Sequence, residues 1–241
     1  MVISHKYKFI FIKNTKCAGT STEVFLSSVC SDSDIFTPIF PASEHHIARN
    51  YMGYCNPFPE LISHWRAERR GTTKRGLYGD LKLTARRLVS GIKYTNHMSG
   101  RVIKSKLPQS IWRDYYKFCI ERNPWDKTVS MYHMVKVRSR NNALEFEDFL
   151  ARRKFPSDFS KYTDENGKVL VDQILRYENL DEELSILLKN LGVNFGGKLE
   201  PREKASFRSR GDDYRRYYNN SSSKIVADAF REEIKLLNYR F

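Results

Sequence analysis

A short run rich in Phe and Ile, Lys8-Phe-Ile-Phe-Ile12, passes directly into a polar turn, Lys13-Asn-Thr-Lys-Cys-Ala-Gly-Thr-Ser21, and then into a helical pattern over Thr20–Val29. Short bounded runs rich in Phe and Ile read as buried strands. Thr20 or Ser21 can serve as the helix N-cap, with Glu23 in the first turn. Strand, loop and helix in this order open an α/β nucleotide-binding unit. Backbone N–H groups in such a turn, together with a helix N-terminus, form an anion site. Lys16 adds a point charge there, and Thr20 and Ser21 add hydroxyl donors. The turn is not a Walker A loop, because GxxxxGK followed by Ser or Thr is absent. Taken alone, it could equally be an ordinary strand-to-helix connection.

The pattern repeats downstream. Tyr115–Glu121 reads as a second strand, and Pro124 sits at a helix start, where its missing N–H costs nothing. That helix runs to about Arg138. Further helices are expected over Ser99–Lys106, Glu145–Arg153, Leu180–Leu191 and Ser222–Leu237, with a third strand over Gln173–Tyr177. Strands alternating with helices predict a single α/β domain over residues 1–241, with a central parallel sheet flanked by helices. Residues 31–95 fit this pattern poorly. Four prolines break their first half, and a basic stretch from Arg66 to Lys93 contains a possible basic amphipathic helix, Leu81–Val89. The segment reads as a variable insertion that helps form an acceptor site, or as a solvated face around a long loop.

A second anion-binding candidate lies where the second strand ends. In Phe118-Cys-Ile-Glu-Arg-Asn-Pro-Trp-Asp-Lys-Thr-Val-Ser130-Met-Tyr132, Arg122 falls at the carboxyl edge of the strand. Open α/β sheets collect ligands at that edge. Arg122 can offer a planar fork of donors to a phosphate, and Ser130 can add a hydroxyl from the helix. The alternative is a salt-bridged arginine and a buried helical serine.

Together the two segments resemble the PAPS-dependent sulfotransferases, in particular the carbohydrate sulfotransferase branch with its bacterial and viral relatives. That family carries a phosphosulfate loop of the form PKTAGTS after its first strand; here it stands as Thr15-Lys-Cys-Ala-Gly-Thr-Ser21, with Thr15 in place of Pro. The family's 3′-phosphate motif, RNPxDRxVSxY, stands as Arg122 to Tyr132 with Lys127 in place of the second Arg. Ile174-Leu-Arg-Tyr-Glu-Asn-Leu180 and the tail from Asp213 to Phe241 resemble further family segments, whereas residues 31–90 match poorly.

The resemblance implies a P-loop nucleotide-kinase-like sulfotransferase fold. It also implies 3′-phosphoadenosine 5′-phosphosulfate (PAPS) as co-substrate, with 3′,5′-ADP as product and no metal. By position, Lys16 contacts the phosphosulfate and stabilises charge on the leaving phosphate oxygen. Backbone N–H groups from Cys17 through Ala18 and Gly19 to Thr20 cradle the 5′-phosphate beside Ser21, and Arg122 and Ser130 grip the 3′-phosphate. Arg208 or Arg210 closes over the nucleotide. Related enzymes place a histidine base before the second strand, where His97 stands in Tyr94-Thr-Asn-His-Met-Ser99. A neutral imidazole suits that work. Glu44, His45 and His46 are the runners-up. A histidine pair can suggest a metal, but no third ligand stands at useful spacing.

The formal charge of +14, from 42 basic and 28 acidic residues, favours anionic partners. A carbohydrate acceptor, such as an acidic glycan or glycolipid, fits the basic insertion; a protein tyrosine or a small alcohol is the second possibility. A nucleic-acid-binding module is a further class, but no recognised motif supports it and the basic residues are dispersed. A nucleotide-phosphate kinase would need the Walker lysine. Cys17, Cys30, Cys55 and Cys119 form no CxxC pair, which predicts reduced thiols, with Cys17 and Cys119 buried or half-buried. No run approaches the ~18–20 apolar residues of a membrane span, and no signal-peptide pattern opens the chain. A soluble cytoplasmic protein of unknown oligomeric state is expected.

Overall fold

The computed structural model describes residues 1–54, 56–58, 61–62, 77–199 and 213–241. Arg208 and Arg210, and residues 66–75 of the basic stretch, lie outside the described residues.

Five strands form one sheet: β1 (Val2–Ser4), β2 (Phe9–Ile12), β3 (Ile35–Phe36), β4 (Tyr116–Glu121) and β5 (Gln173–Arg176), in the order β3-β1-β2-β4-β5. The parallel centre expected from the sequence is β2-β4-β5. β1 and β3, which the sequence pattern did not assign, extend it antiparallel. A turn of four residues joins β1 to β2, and so short a connection permits only antiparallel pairing.

β2 is buried along its whole length, and its alternation feeds two cores at once. Phe9 and Phe11 pack on one face with Phe118, Ile120 and Leu175. Helix α1 (Gly19–Val29) adds Leu26 there. The last long helix before residue 200 brings Leu180, Leu184, Leu187 and Leu188 to the same core, at the spacing of one helix face. Ile10 and Ile12 point the other way, toward Val102, Ile103, Trp112 and Tyr162.

In chain order the other helices are α2 (Leu77–Val89), α3 (Gly100–Lys106), α4 (Gln109–Asp114), α5 (Pro124–Arg138), α6 (Phe146–Ala151), α7 (Phe159–Tyr162), α8 (Leu180–Asn190), α9 (Asn220–Ala229) and α10 (Arg231–Leu237). The helix expected over Ser222–Leu237 is thus two. They part at Phe230, which leaves helical geometry (φ −115°, ψ 25°) with its ring fully buried. A third apolar cluster packs α5 and α6 against α9 and the tail through Trp125, Tyr132, Phe146, Phe149, Val226 and Tyr239. Cys17 and Cys119 are buried free thiols, as expected. No described helix is long and apolar enough to cross a membrane.

Candidate active site at the carboxyl ends of β2 and β4

β2 delivers the chain into a loop whose first residues turn inward. Lys13 is buried and pairs with Glu23 of α1. Asn14 is buried too, and its side-chain N–H donates to the Ile120 carbonyl on β4 at 3.0 Å. The loop therefore crosses the ends of both strands. Lys16 and Ala18 then adopt left-handed backbone, with φ of 62° and 53°. Each such non-glycine residue costs on the order of 1 kcal/mol, and strain of this kind gathers at functional loops.

The helix cap departs from the expected one. α1 begins at Gly19 with Ala18 as N-cap, not Thr20 or Ser21. Ala18 has no side chain to accept from the first-turn N–H groups, so the positive end of α1 carries no cap from its own N-cap residue. Gly19 is required by contact: a Cβ there would stand 2.6 Å from Cγ of Lys13.

Arg122 meets this loop directly. Its Nη1 donates to the Lys16 carbonyl at 3.2 Å. Nε donates to Oδ2 of Asp126 at 2.7 Å, and Nη2 lies 2.7 Å from the same oxygen. The guanidinium also stacks over the Tyr177 ring, 4.1 Å from its centroid. A guanidinium has five N–H donors, and three of them take these contacts. The Asn-Pro that follows organises the helix. Asn123 accepts from the Trp125 and Asp126 N–H groups as N-cap, and Pro124 takes the first helical position. Ser130 is half-buried on α5, one turn beyond Asp126 and on the same face.

Beneath the loop lies a set of buried charges that sequence reading missed. Asp158, just before α7, accepts from the Thr15 N–H at 2.6 Å and the Thr15 hydroxyl at 3.1 Å. Its two other partners are Lys127 at 2.9 Å and Lys161 at 2.5 Å. Lys161 also donates to the Thr15 hydroxyl at 2.9 Å. Glu121 takes the other side of Lys127 at 2.6 Å and accepts the Arg122 N–H at 2.9 Å. Burial works against the Asp158 carboxylate, but Lys127 and Lys161 outweigh it and hold its pKa well below the usual range. Burial pushes the Glu121 carboxyl up against the pull of Lys127.

His97 sits at the rim of this construction in left-handed backbone, φ 60°. Its Nδ1 lies 3.1 Å from the Lys13 carbonyl. A carbonyl only accepts, so Nδ1 carries the proton and Nε2 keeps its lone pair. The residue as a whole is exposed, with Nδ1 turned in to the Lys13 carbonyl. Desolvation by the surrounding protein, then the charges of Lys161 and Lys13, lower its pKa to about 3. The runners-up differ in exposure. Glu44 and His45 are exposed. His46 packs edge-on against Phe36, and burial together with the Lys13 charge lowers its pKa to about 4. Among the described residues, no group of three or more His, Cys, Asp or Glu side chains could hold a metal ion.

The fold thus brings the loop of Lys16, Cys17, Ala18, Gly19, Thr20 and Ser21 together with Arg122 at the carboxyl ends of β2 and β4. Ser130 lies along the helix behind Arg122, and His97 joins the loop through Lys13. Lys127 and Glu121 were visible in the sequence as part of the second motif. Asp158 had no signal there, because it meets the loop across 143 positions.

No family model matches the chain. One relative, described as an uncharacterized protein from Archaeoglobus fulgidus, is 36% identical over 100 residues, which are 40% of this chain and 83% of that protein. The chain belongs to one family with that archaeal protein. Among solved structures, a sulfotransferase from Alicyclobacillus acidocaldarius aligns over 96% of both chains, with 17% identity and a TM-score of 0.46. A mouse sulfotransferase complexed with PAP aligns over 97% of this chain and 86% of its own, with 14% identity and a TM-score of 0.45. A retinol dehydratase in a complex with retinol and PAP covers 99% of this chain and 84% of its own, with 14% identity and a TM-score of 0.43.

Proposed function

We propose that this chain is a PAPS-dependent sulfotransferase that moves a sulfuryl group to a hydroxyl of a carbohydrate acceptor. The observation that carries this reading is the 3.2 Å contact between Arg122 and the Lys16 carbonyl. It brings two motifs separated by more than 100 residues into contact, which supports a ligand with phosphates at both ends.

The donor set fits such a ligand. The N-terminus of α1, with the left-handed turn at Lys16 and Ala18, supplies N–H groups and a positive dipole end for a 5′-phosphate. Gly19 leaves room for the Lys13 side chain against the start of α1. Arg122 is oriented by Asp126 and Tyr177, which leaves its outer N–H groups for a 3′-phosphate, with Ser130 beside it. Bound PAPS supplies an activated sulfuryl group whose bridging bond to phosphate oxygen breaks as the acceptor oxygen bonds to sulfur. Lys16 stabilises the charge that grows on the departing phosphate. His97 accepts the acceptor's proton at Nε2, while Nδ1–H stays on the Lys13 carbonyl and fixes the ring.

The test is calorimetry with 3′,5′-ADP against ATP–magnesium, followed by incubation with labelled PAPS and a panel of glycans, tyrosine peptides and small alcohols. Preference for 3′,5′-ADP and label on a glycan are expected. Preference for ATP–magnesium would overturn the reading, and label on tyrosine or a simple alcohol would replace the acceptor.

A further inference from the structure

Helix α2 is built the wrong way round for a helix that only covers a core. Among its described side chains the buried one is Thr84, and Leu83 and Arg87 are half-buried. Four of its larger apolar side chains face solvent: Tyr78 is 80% exposed, Leu81 47%, Leu88 43% and Val89 91%. At 100° per residue these four, with exposed Ala85, fall within one stripe about a quarter to a third of the circumference wide. Lys82 and Arg86 are exposed along one edge of that stripe.

The neighbouring chain continues the surface. The Gly53 N–H donates to the Gly91 carbonyl at 2.5 Å, and the Lys93 N–H to the Tyr51 carbonyl at 3.0 Å. An isolated bridge pairs Met52 with Ile92. These bonds tie residues 51–53 to the chain just beyond α2, near the helix end that bears Leu88 and Val89. Met52 is 57% exposed and Tyr54 86%.

An outward apolar stripe edged by basic residues is the pattern of a helix that lies in a lipid–water interface. The apolar side chains bury among acyl chains, and the lysine and arginine reach the headgroups. We propose that α2 docks this protein onto an anionic lipid bilayer surface, with its axis in the plane of the interface. Charge selects that occupant. The helix carries Lys82, Arg86 and Arg87 against a single acidic residue, Asp80, and the chain as a whole is +14. A bilayer rich in anionic lipid offers the complementary field, which a neutral bilayer or a second copy of this basic chain lacks. The docking does not depend on the sulfuryl-transfer reading.

The experiment is co-sedimentation of the full chain with vesicles of pure phosphatidylcholine or of phosphatidylcholine with 30% phosphatidylglycerol. The chain is compared with Leu81→Asp/Leu88→Asp and with Lys82→Glu/Arg86→Glu. All four substituted positions lie on the solvent face, and far-UV circular dichroism confirms the folds of both variants. The parent is expected to partition onto the anionic vesicles at least about tenfold more than onto the neutral ones, and each double variant to lose about tenfold or more of that binding. Gel filtration with light scattering is run in parallel. Equal binding to both vesicle types, unchanged binding in the Leu81→Asp/Leu88→Asp chain, or a dimer that this variant abolishes would overturn the proposal.

Discussion

Thr15 gives both its N–H and its hydroxyl to one buried carboxylate, that of Asp158, at 2.6 and 3.1 Å. The sulfotransferases that this loop resembles have proline at the position. Proline has no N–H to give, so the exchange for threonine is matched here by a partner 143 residues away. Asp158 also neutralises Lys127 and Lys161, which makes it the junction between the loop, α5 and α7.

Placing proline at position 15 should therefore harm this chain. Thr15→Pro removes the N–H and the hydroxyl and leaves Asp158 short of two donors in a buried place. The expected loss is about 1–3 kcal/mol of unfolding free energy. Asp158→Asn should cost more, about 3–5 kcal/mol, because half-buried Lys161 loses its counter-charge and buried Lys127 is left with Glu121. Urea denaturation of both variants measures this. A Thr15→Pro chain as stable as its parent would show that the Asp158 contact does not hold the loop.

At the proposed nucleotide site the outcome separates charge from geometry. Arg122→Lys keeps the charge and loses the fork that reaches Asp126, the Lys16 carbonyl and a phosphate together. Affinity for 3′,5′-ADP should fall by about 1.5–3 kcal/mol, the range for hydrogen bonds to charged groups. Lys16→Ala should mainly lower kcat, by about 10²–10³-fold, with a smaller effect on 3′,5′-ADP binding. Calorimetry and a transfer assay on the same preparations distinguish the two. If Arg122→Lys binds 3′,5′-ADP like the parent, the 3′-phosphate is held elsewhere.

Much of this site was readable in the sequence because its parts are local. A strand, a turn and a helix within Phe9–Val29, and again within Tyr115–Arg138, place the cationic residues at strand ends whatever the rest of the chain does. What the sequence hid is long-range. Asp158 and Lys161 lie in a segment whose only pattern is a single helical turn, and only folding brings them under Thr15. β1 was missed because three residues are too few to show alternation, and β3 because two are. Thr20 and Ser21 looked like caps by residue type, but the left-handed Ala18 starts the helix earlier. The basic helix was visible at Leu81–Val89; which of its faces points outward was not, since that depends on what Thr84 packs against.

Gly19→Ala tests how tightly the loop is packed. The added methyl would stand 2.6 Å from Cγ of Lys13, near the root of a side chain pinned to Glu23. Lys13 has to move, and overpacking of this kind costs about 1–3 kcal/mol. Because Lys13 also presents its carbonyl to His97, the variant should lose turnover as well as stability. A Gly19→Ala chain with parental kcat would mean that Lys13 relaxes without disturbing His97.

His97 makes a prediction about pH whose sign is fixed by its lowered pKa. The folded ring titrates at about 3, held neutral by desolvation, Lys161 and Lys13, whereas the unfolded chain gives histidine its ordinary value near 6.5. Between those values the unfolded state binds more protons, so stability rises with pH across the window and falls on acidification. His46, lowered to about 4, acts in the same sense. For catalysis, a base that stays neutral gives kcat/KM no acid limb near 6.5; the profile of the free enzyme should stay level from pH 8 to about pH 5. His97→Asn is the informative variant, because asparagine tolerates the left-handed backbone that alanine would strain. It should keep 3′,5′-ADP binding, lose about 10²–10⁴-fold in kcat, and show a smaller drop in urea midpoint between pH 7 and pH 4.5 than the parent. Near-parental turnover in His97→Asn would move the base to another group, with Glu44 and His46 next in line.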